Sequence, residues 1–136
     1  MKIRSIIPLL ILLSVHFYTI FDASSWGNSD AVILHYIIYL VFIALGSGCA
    51  VFTEKKSLRV FRKYCITLII ASAVSAFFRV TKTLPYTLYE ISHLYILPPF
   101  YGFRALGAIA EYFVSLAISA VWLAVIRFRS QKEVYV

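Results

Sequence analysis

Four ionisable side chains lie within or at the edge of apolar runs of this sequence: Glu111, Arg79, His16 and His35. Such groups are costly at membrane depth, so they usually face the interior of a helix bundle and form pairs. Glu111 could form an ion pair with Arg79 or Arg104 that holds the bundle together. Alternatively, Glu111 could change protonation as a cation or substrate passes, which predicts a small proton- or cation-coupled transporter.

The two histidines suggest a second kind of chemistry. If their helices are antiparallel neighbours, His16 and His35 lie at matching depth and could supply the two axial ligands of a b-type haem. A single His on an apolar helix is more often packed or hydrogen-bonded, so the sequence predicts no cofactor. Cys49 and Cys65 show no CxxC or Cys/His spacing, and we expect free thiols rather than a zinc site or a disulfide.

Polar and aromatic residues cluster again between the last two apolar runs, where they would form the outer mouth of a bundle: Arg104, Glu90, His93, Tyr95 and Tyr101. Catalysis in this mouth would have to use His93, Glu90 and the tyrosines. No nucleophile motif, phosphate-binding loop or metal-ligand spacing accompanies them. We therefore predict a protein that is not an enzyme.

The composition is typical of a protein that lies in a lipid bilayer. Of the 136 residues, 62% are hydrophobic and 14% are charged, which is more apolar surface than a soluble domain of this size could bury. The net charge is +7, but Lys and Arg occur in short clusters beside apolar runs, a pattern of membrane topology rather than of nucleic-acid binding. We expect residues 1–136 to form a single membrane domain.

The apolar runs predict an all-α integral membrane protein. It would be a four-helix transmembrane bundle with spans at about 5–21, 31–53, 64–80 and 105–126. A cleaved signal peptide is the alternative for the first run, although no clear small-x-small cleavage site follows it.

Between the third and fourth spans the sequence predicts a short amphipathic helix. Leu84, Leu88, Ile91 and Tyr95 recur at helical spacing, so we expect a helix over about 84–97 that lies in the outer interface and stops at Pro98-Pro99. A loop folded over the mouth of the bundle is the alternative.

The distribution of basic residues predicts which side each end occupies. Ten of the 13 Lys and Arg residues fall on one side of the predicted spans: Lys2, Arg4, Lys55, Lys56, Arg59, Arg62, Lys63, Arg127, Arg129 and Lys132. Arg79, Lys82 and Arg104 fall on the other. This bias predicts a multi-pass protein of a bacterial inner membrane with both termini in the cytoplasm and a basic cytoplasmic loop at 54–63 that attracts anionic lipids.

Small side chains predict where the helices approach each other. The positions are Ala44, Gly46 and Gly48 on the second span, Ala71, Ser72, Ser75 and Ala76 on the third, and Gly107 on the fourth. Ala44 and Gly48 form a small-xxx-small pair. Packing within the chain is the favoured reading, and a homodimer seam is the alternative.

Counting residues from the span ends places His16, His35, Glu111 and Arg79 within about 10 Å of the outer boundary of the hydrocarbon, so we expect one polar layer with a residue from each helix. We expect no soluble domain beside the bundle. The sequence therefore predicts a binding, accessory-subunit or immunity-type membrane protein, with a membrane-protein partner or a second copy of the chain as its possible associate.

This pattern resembles a bacterial family of small four-span membrane proteins of unknown function. The shared features are a glycine-bearing second span at 40–48, a basic loop, Arg79 ending the third span, Pro85 in the following loop and Glu111 early in the fourth span. The resemblance covers about residues 36–125, and the long aromatic segment between Arg79 and Glu111 departs from it. It implies a fold and no activity.

Overall fold

The computed structural model describes residues 6–24, 32–100 and 109–134, apart from the side chains of 22–24, 32–35 and 133–134. Every regular element in these ranges is helical, which confirms the all-α prediction for them. The α-helices there are α1 (Ile7–Ser24), α2 (Val32–Phe52), α3 (Lys55–Thr81), α4 (Tyr86–Ile91) and α5 (Ala110–Val134), and α4 continues into a π-helical turn, Ser92–Ile96.

The four long helices pack side by side. α1 lies against α2, α2 against α5 and α5 against α3. Ser72 of α3 is hydrogen-bonded to Ser115 of α5, whereas Phe61 contacts Trp122, so these two helices are antiparallel. The helices α3 and α5 are long and apolar enough to cross a membrane, and α1 and α2 contain shorter apolar stretches, Ile7–Phe21 and Tyr36–Phe52.

The basic segment 54–63 is not the predicted loop, because α3 already begins at Lys55. Ser57, Leu58 and Phe61 are buried at helical spacing, while the lysines and arginines of the segment are exposed. A run of charges hid this periodicity in the sequence. The third helix therefore extends about 13 Å beyond the predicted start of the span at Tyr64.

The end of α3 is set by a left-handed residue. Lys82 has φ 58° and ψ 23°, and its backbone N–H donates to the Phe78 carbonyl at 2.8 Å. Such a conformation stops a helix by satisfying one of its last carbonyls. The chain then turns through Pro85 into α4.

The segment from α4 to Phe100 packs into the bundle rather than lying flat on it. Tyr89, Ser92, Leu97 and Phe100 are buried, and the predicted apolar stripe of Leu88, Ile91 and Tyr95 faces outward. The π-helical turn ends at Ile96, and a 3₁₀ turn follows at 98–100, which includes the two prolines. Of the two alternatives for 84–97, burial favours the segment folded over the bundle.

Candidate functional site

His16 of the predicted layer is hydrogen-bonded through both ring nitrogens. It is 8% exposed, and its Nδ1 lies 2.6 Å from the Tyr64 hydroxyl of α3. Its Nε2 lies 2.9 Å from the backbone carbonyl of Tyr95 in the π-helical turn. Because a carbonyl only accepts, Nε2 must carry the hydrogen, and Nδ1 then accepts from Tyr64. His16 thus joins α1, α3 and the inserted segment.

The ring of His16 belongs to a closed series of aromatic rings in the core of the bundle, which we call the aromatic circuit. The ring of His16 contacts Phe42 and Tyr64 at centroid distances of 6.0 and 5.6 Å. Phe42 contacts Trp122 at 6.0 Å, Trp122 contacts Phe61 at 5.8 Å, and Phe61 stacks on Tyr64 at 6.2 Å. Four helices each contribute to this circuit, which fills the core with close ring contacts.

A second cluster lies at the opposite end of α3 from the basic residues. Tyr89 stacks between Phe78 and His93, with centroid distances of 4.4 and 5.2 Å. The Tyr112 hydroxyl lies 3.2 Å from Nδ1 of His93 and is also hydrogen-bonded to Tyr89. This cluster attaches α4 and the π-helical turn to α3 and α5.

Glu111 lies beside this second cluster, as the neighbour of Tyr112, and is 1% exposed. The Ser72–Ser115 hydrogen bond of 2.8 Å fixes the level of α5 against α3. Glu111 lies one turn beyond Ser115, about 6 Å. Tyr64, whose hydroxyl is hydrogen-bonded to His16, lies two turns from Ser72 on the other side, about 12 Å along α3.

Among the described residues His16 contacts Phe42 and Tyr64, whereas Glu111 adjoins Tyr112 of the second cluster, so the single polar layer stays a prediction. α1 packs mainly against α2, and the hydrogen bond from Tyr64 to His16 connects it to α3.

The remaining predicted site residues have different surroundings. Arg79 and Glu90 are exposed, and the Tyr95 side chain is 56% exposed although its carbonyl accepts from His16. The side chain of His35 lies outside the described residues, as do Arg104, Tyr101 and Gly107.

The predicted packing residues divide into two groups. Ala71, Ser72 and Ser75 are buried against α5, Gly46 is buried beneath Trp122, and Ala76 is half-buried. In contrast, Ala44 is exposed, and a Cβ at Gly48 would have no described atom within 4 Å. The pair Ala44 and Gly48 is therefore not the internal contact that the sequence favoured; Gly46, between them, makes that contact.

Several partners were not identified in the sequence. Ser115 and Ser119 are both buried on the α5 face towards α3, and their i, i+4 spacing was a readable small-xxx-small signal. Tyr64, Tyr112 and Trp122 carried no such signal, because one aromatic residue among many apolar ones gives no indication of its hydrogen-bond partner.

Arg129 makes a further polar contact between distant parts of the chain. Its Nη1 donates to the Ala50 carbonyl at 2.8 Å and its Nη2 donates to the Thr53 carbonyl at 2.9 Å. The last carbonyls of a helix lack partners within it, so this guanidinium caps the end of α2 from α5.

Within the described residues no group of three or more His, Cys, Asp and Glu could hold a metal ion. Cys49 and Cys65 are buried free thiols. Both His16 nitrogens are directed at protein partners, a geometry that favours a structural role over haem ligation. No family model, curated protein or solved structure matches this chain.

Proposed function

We propose that this chain is a four-span protein of a bacterial inner membrane. It would act without enzymatic activity as a binding protein, an accessory subunit or an immunity-type protein. Both termini would lie on the cytoplasmic side. The helices would form a rigid bundle, and its outer surfaces would contact lipid and a membrane-protein partner.

The apolar exterior of the helices supports the membrane location. Only 28% of the apolar window of α3 and 33% of that of α5 are buried, whereas the core helix of a soluble protein would be mostly buried. Phe17, Phe52 and Phe128 are 63%, 81% and 63% exposed. An apolar surface of this extent on four helices is stable in lipid and would associate in water.

The distribution of basic residues supports the proposed orientation, with both termini on the cytoplasmic side. The antiparallel packing of α3 and α5 brings the start of α3 and the end of α5 to the same end of the bundle, and both carry exposed basic residues. At the start of α3 two lysines oppose the helix dipole, at a cost of about 0.3–1 kcal/mol each. A topological role explains why basic residues occur there in spite of this cost.

The aromatic circuit around His16 is the observation that carries the proposal for a binding protein. Phe42, Phe61 and Trp122 are at most 3% exposed and fill the middle of the bundle with ring contacts. A transport path would need polar, water-accessible space at that level. The packed core favours action at the outer surfaces instead.

The second candidate function is a small transporter that couples to protons or another cation through Glu111, because this carboxyl group is 1% exposed beside Tyr112. The test is reconstitution into liposomes that contain a pH-sensitive dye. We expect an imposed pH gradient to decay as slowly as in empty liposomes for the wild type, for Glu111→Gln and for the exposed control Glu90→Gln. Faster decay that only Glu111→Gln abolishes would establish the transporter instead.

The accessory role has its own test. Purification from native membranes in a mild detergent should yield a complex that is heavier than the chain alone and has a fixed ratio of this chain to a second membrane protein. A chain that is monomeric after gentle extraction at every detergent concentration would contradict that role.

A further inference from the structure

A groove of about 690 Å³ lies between α3 and α5 at the basic end of the bundle. Both helices line it, and the lining includes Arg62, Ile66, Leu123, Ile126, Arg127 and Gln131. The groove is separate from the His16 circuit and from the Glu111 cluster.

The polarity of the groove changes along its length. On α3, Ile66 lies one turn further into the bundle than Arg62. On α5, which runs the opposite way, Leu123 lies one turn further in than Arg127. Both arginines therefore lie at the open end, where they are exposed, Ile66 and Leu123 form the inner end, and Ile126 lies next to Arg127.

The charge at the open end fits a phosphate group. A guanidinium can donate two parallel N–H bonds to phosphate oxygens, and Arg62 and Arg127 reach the opening from opposite walls. Arg59, Lys63 and Lys132 are exposed at the same end of the bundle and add to the positive potential. Basic pockets between membrane helices on the cytoplasmic side are typical sites for anionic headgroups.

We propose that this groove binds one anionic phospholipid from the leaflet on the basic side, an inference that rests on the proposed membrane location. Arg62 and Arg127 donate to the headgroup phosphate, and one acyl chain lies along Ile66, Leu123 and Ile126. A soluble phosphate would leave this apolar half of the groove without an occupant. The bound lipid joins α3 to α5 at their basic ends.

The experiment uses the full chain, delipidated in a mild detergent, with native mass spectrometry and thermal unfolding as readouts. The probes are dioleoyl phosphatidylglycerol, dioleoyl phosphatidylcholine and glycerol 3-phosphate. We expect the phosphatidylglycerol to bind one to one and to raise the unfolding temperature, and the other two to do neither at the same concentration.

Two variants and a matched control locate the site. Arg62→Gln with Arg127→Gln should weaken phosphatidylglycerol binding about tenfold or more, because two charge-assisted contacts are lost. Lys56→Gln with Arg59→Gln removes the same charge from exposed neighbouring turns of α3 but no contact to the phosphate, and should lower the affinity much less. Ile66→Trp fills the inner half and should exclude the acyl chain while all basic residues remain. Circular dichroism checks that each variant is folded.

Equal loss of binding in the control pair would overturn the proposal in favour of diffuse surface attraction. Protection by glycerol 3-phosphate equal to that by the lipid would replace it with a site for free anions. Absence of any bound lipid on the wild type would also overturn it. None of these outcomes changes the liposome or co-purification results, so failure of the lipid site and failure of the proposed function are distinguishable.

Discussion

Gly46 of α2 lies so close to the Trp122 indole of α5 that a Cβ at position 46 would overlap the ring. The Trp122 Nε1–H also donates to the Ser47 hydroxyl at 3.2 Å, which holds the indole in place. The indole of α5 therefore packs against α2 at a distance that only glycine permits.

Gly46→Ala should lower the free energy of unfolding by about 1–3 kcal/mol, because the indole or α2 must move. Gly48→Ala is the matched control, since a Cβ there meets no described atom within 4 Å. It should be neutral or raise stability by up to about 1 kcal/mol through helix propensity. Unfolding by sodium dodecyl sulfate in mixed micelles measures both, and equal losses would contradict the close contact.

The His16–Tyr64 hydrogen bond of 2.6 Å should be energetically important because both groups are largely removed from solvent. Tyr64→Phe should cost about 1–2 kcal/mol, as Nδ1 then lacks its donor. The exposed Tyr18→Phe on α1 should cost little. A double-mutant cycle with His16→Phe should give a coupling of at least about 0.5 kcal/mol. Additive effects would show that the two side chains act independently.

Arg129→Gln should destabilise the end of α2, since it removes charge-assisted hydrogen bonds to the carbonyls of Ala50 and Thr53. We expect a loss of about 1.5–3 kcal/mol and faster hydrogen exchange in the last turn of α2. Arg59→Gln, on the exposed face of α3, serves as the control with the same loss of charge. An unchanged exchange rate in α2 would contradict the capping contact.

Lys82→Gly should stabilise the fold by about 1 kcal/mol, because Lys82 adopts a left-handed conformation that is unfavourable for any residue with a Cβ. The backbone N–H that donates to Phe78 is retained. Thr81→Gly, one residue earlier in the helix, should instead lower stability by about 0.5–1 kcal/mol. Thermal unfolding of the two variants side by side provides the comparison.

The helices themselves were largely predictable from the sequence, because long apolar runs and basic flanks determine them. α1 and α2 agree with their predicted spans within a few residues. The start of α3 was not predictable in the same way, since Leu58 and Phe61 supply its buried face within a run of charges. Hydropathy averages over such a run and cannot separate its two faces.

The candidate site was harder to predict than the helices. Sequence counting measures depth from the end of each span, but the level of His16 depends on how far α1 is offset from α3, which tertiary packing decides. The predicted orientation of 84–97 was wrong for a related reason. Leu88 and Tyr89 are both apolar enough to face inward, and contact with Phe78 and His93 selects Tyr89.

The central claim, that this chain crosses a bacterial inner membrane four times with both ends in the cytoplasm, is tested most directly by cysteine labelling in intact and inverted membrane vesicles. The background is Cys49→Ala with Cys65→Ala, and single cysteines are introduced as Asn28→Cys, Lys56→Cys, Thr83→Cys and Lys132→Cys. A membrane-impermeant maleimide should label positions 28 and 83 only from outside, and positions 56 and 132 only in inverted vesicles. Labelling of position 28 from the same side as position 56 would contradict a four-span topology.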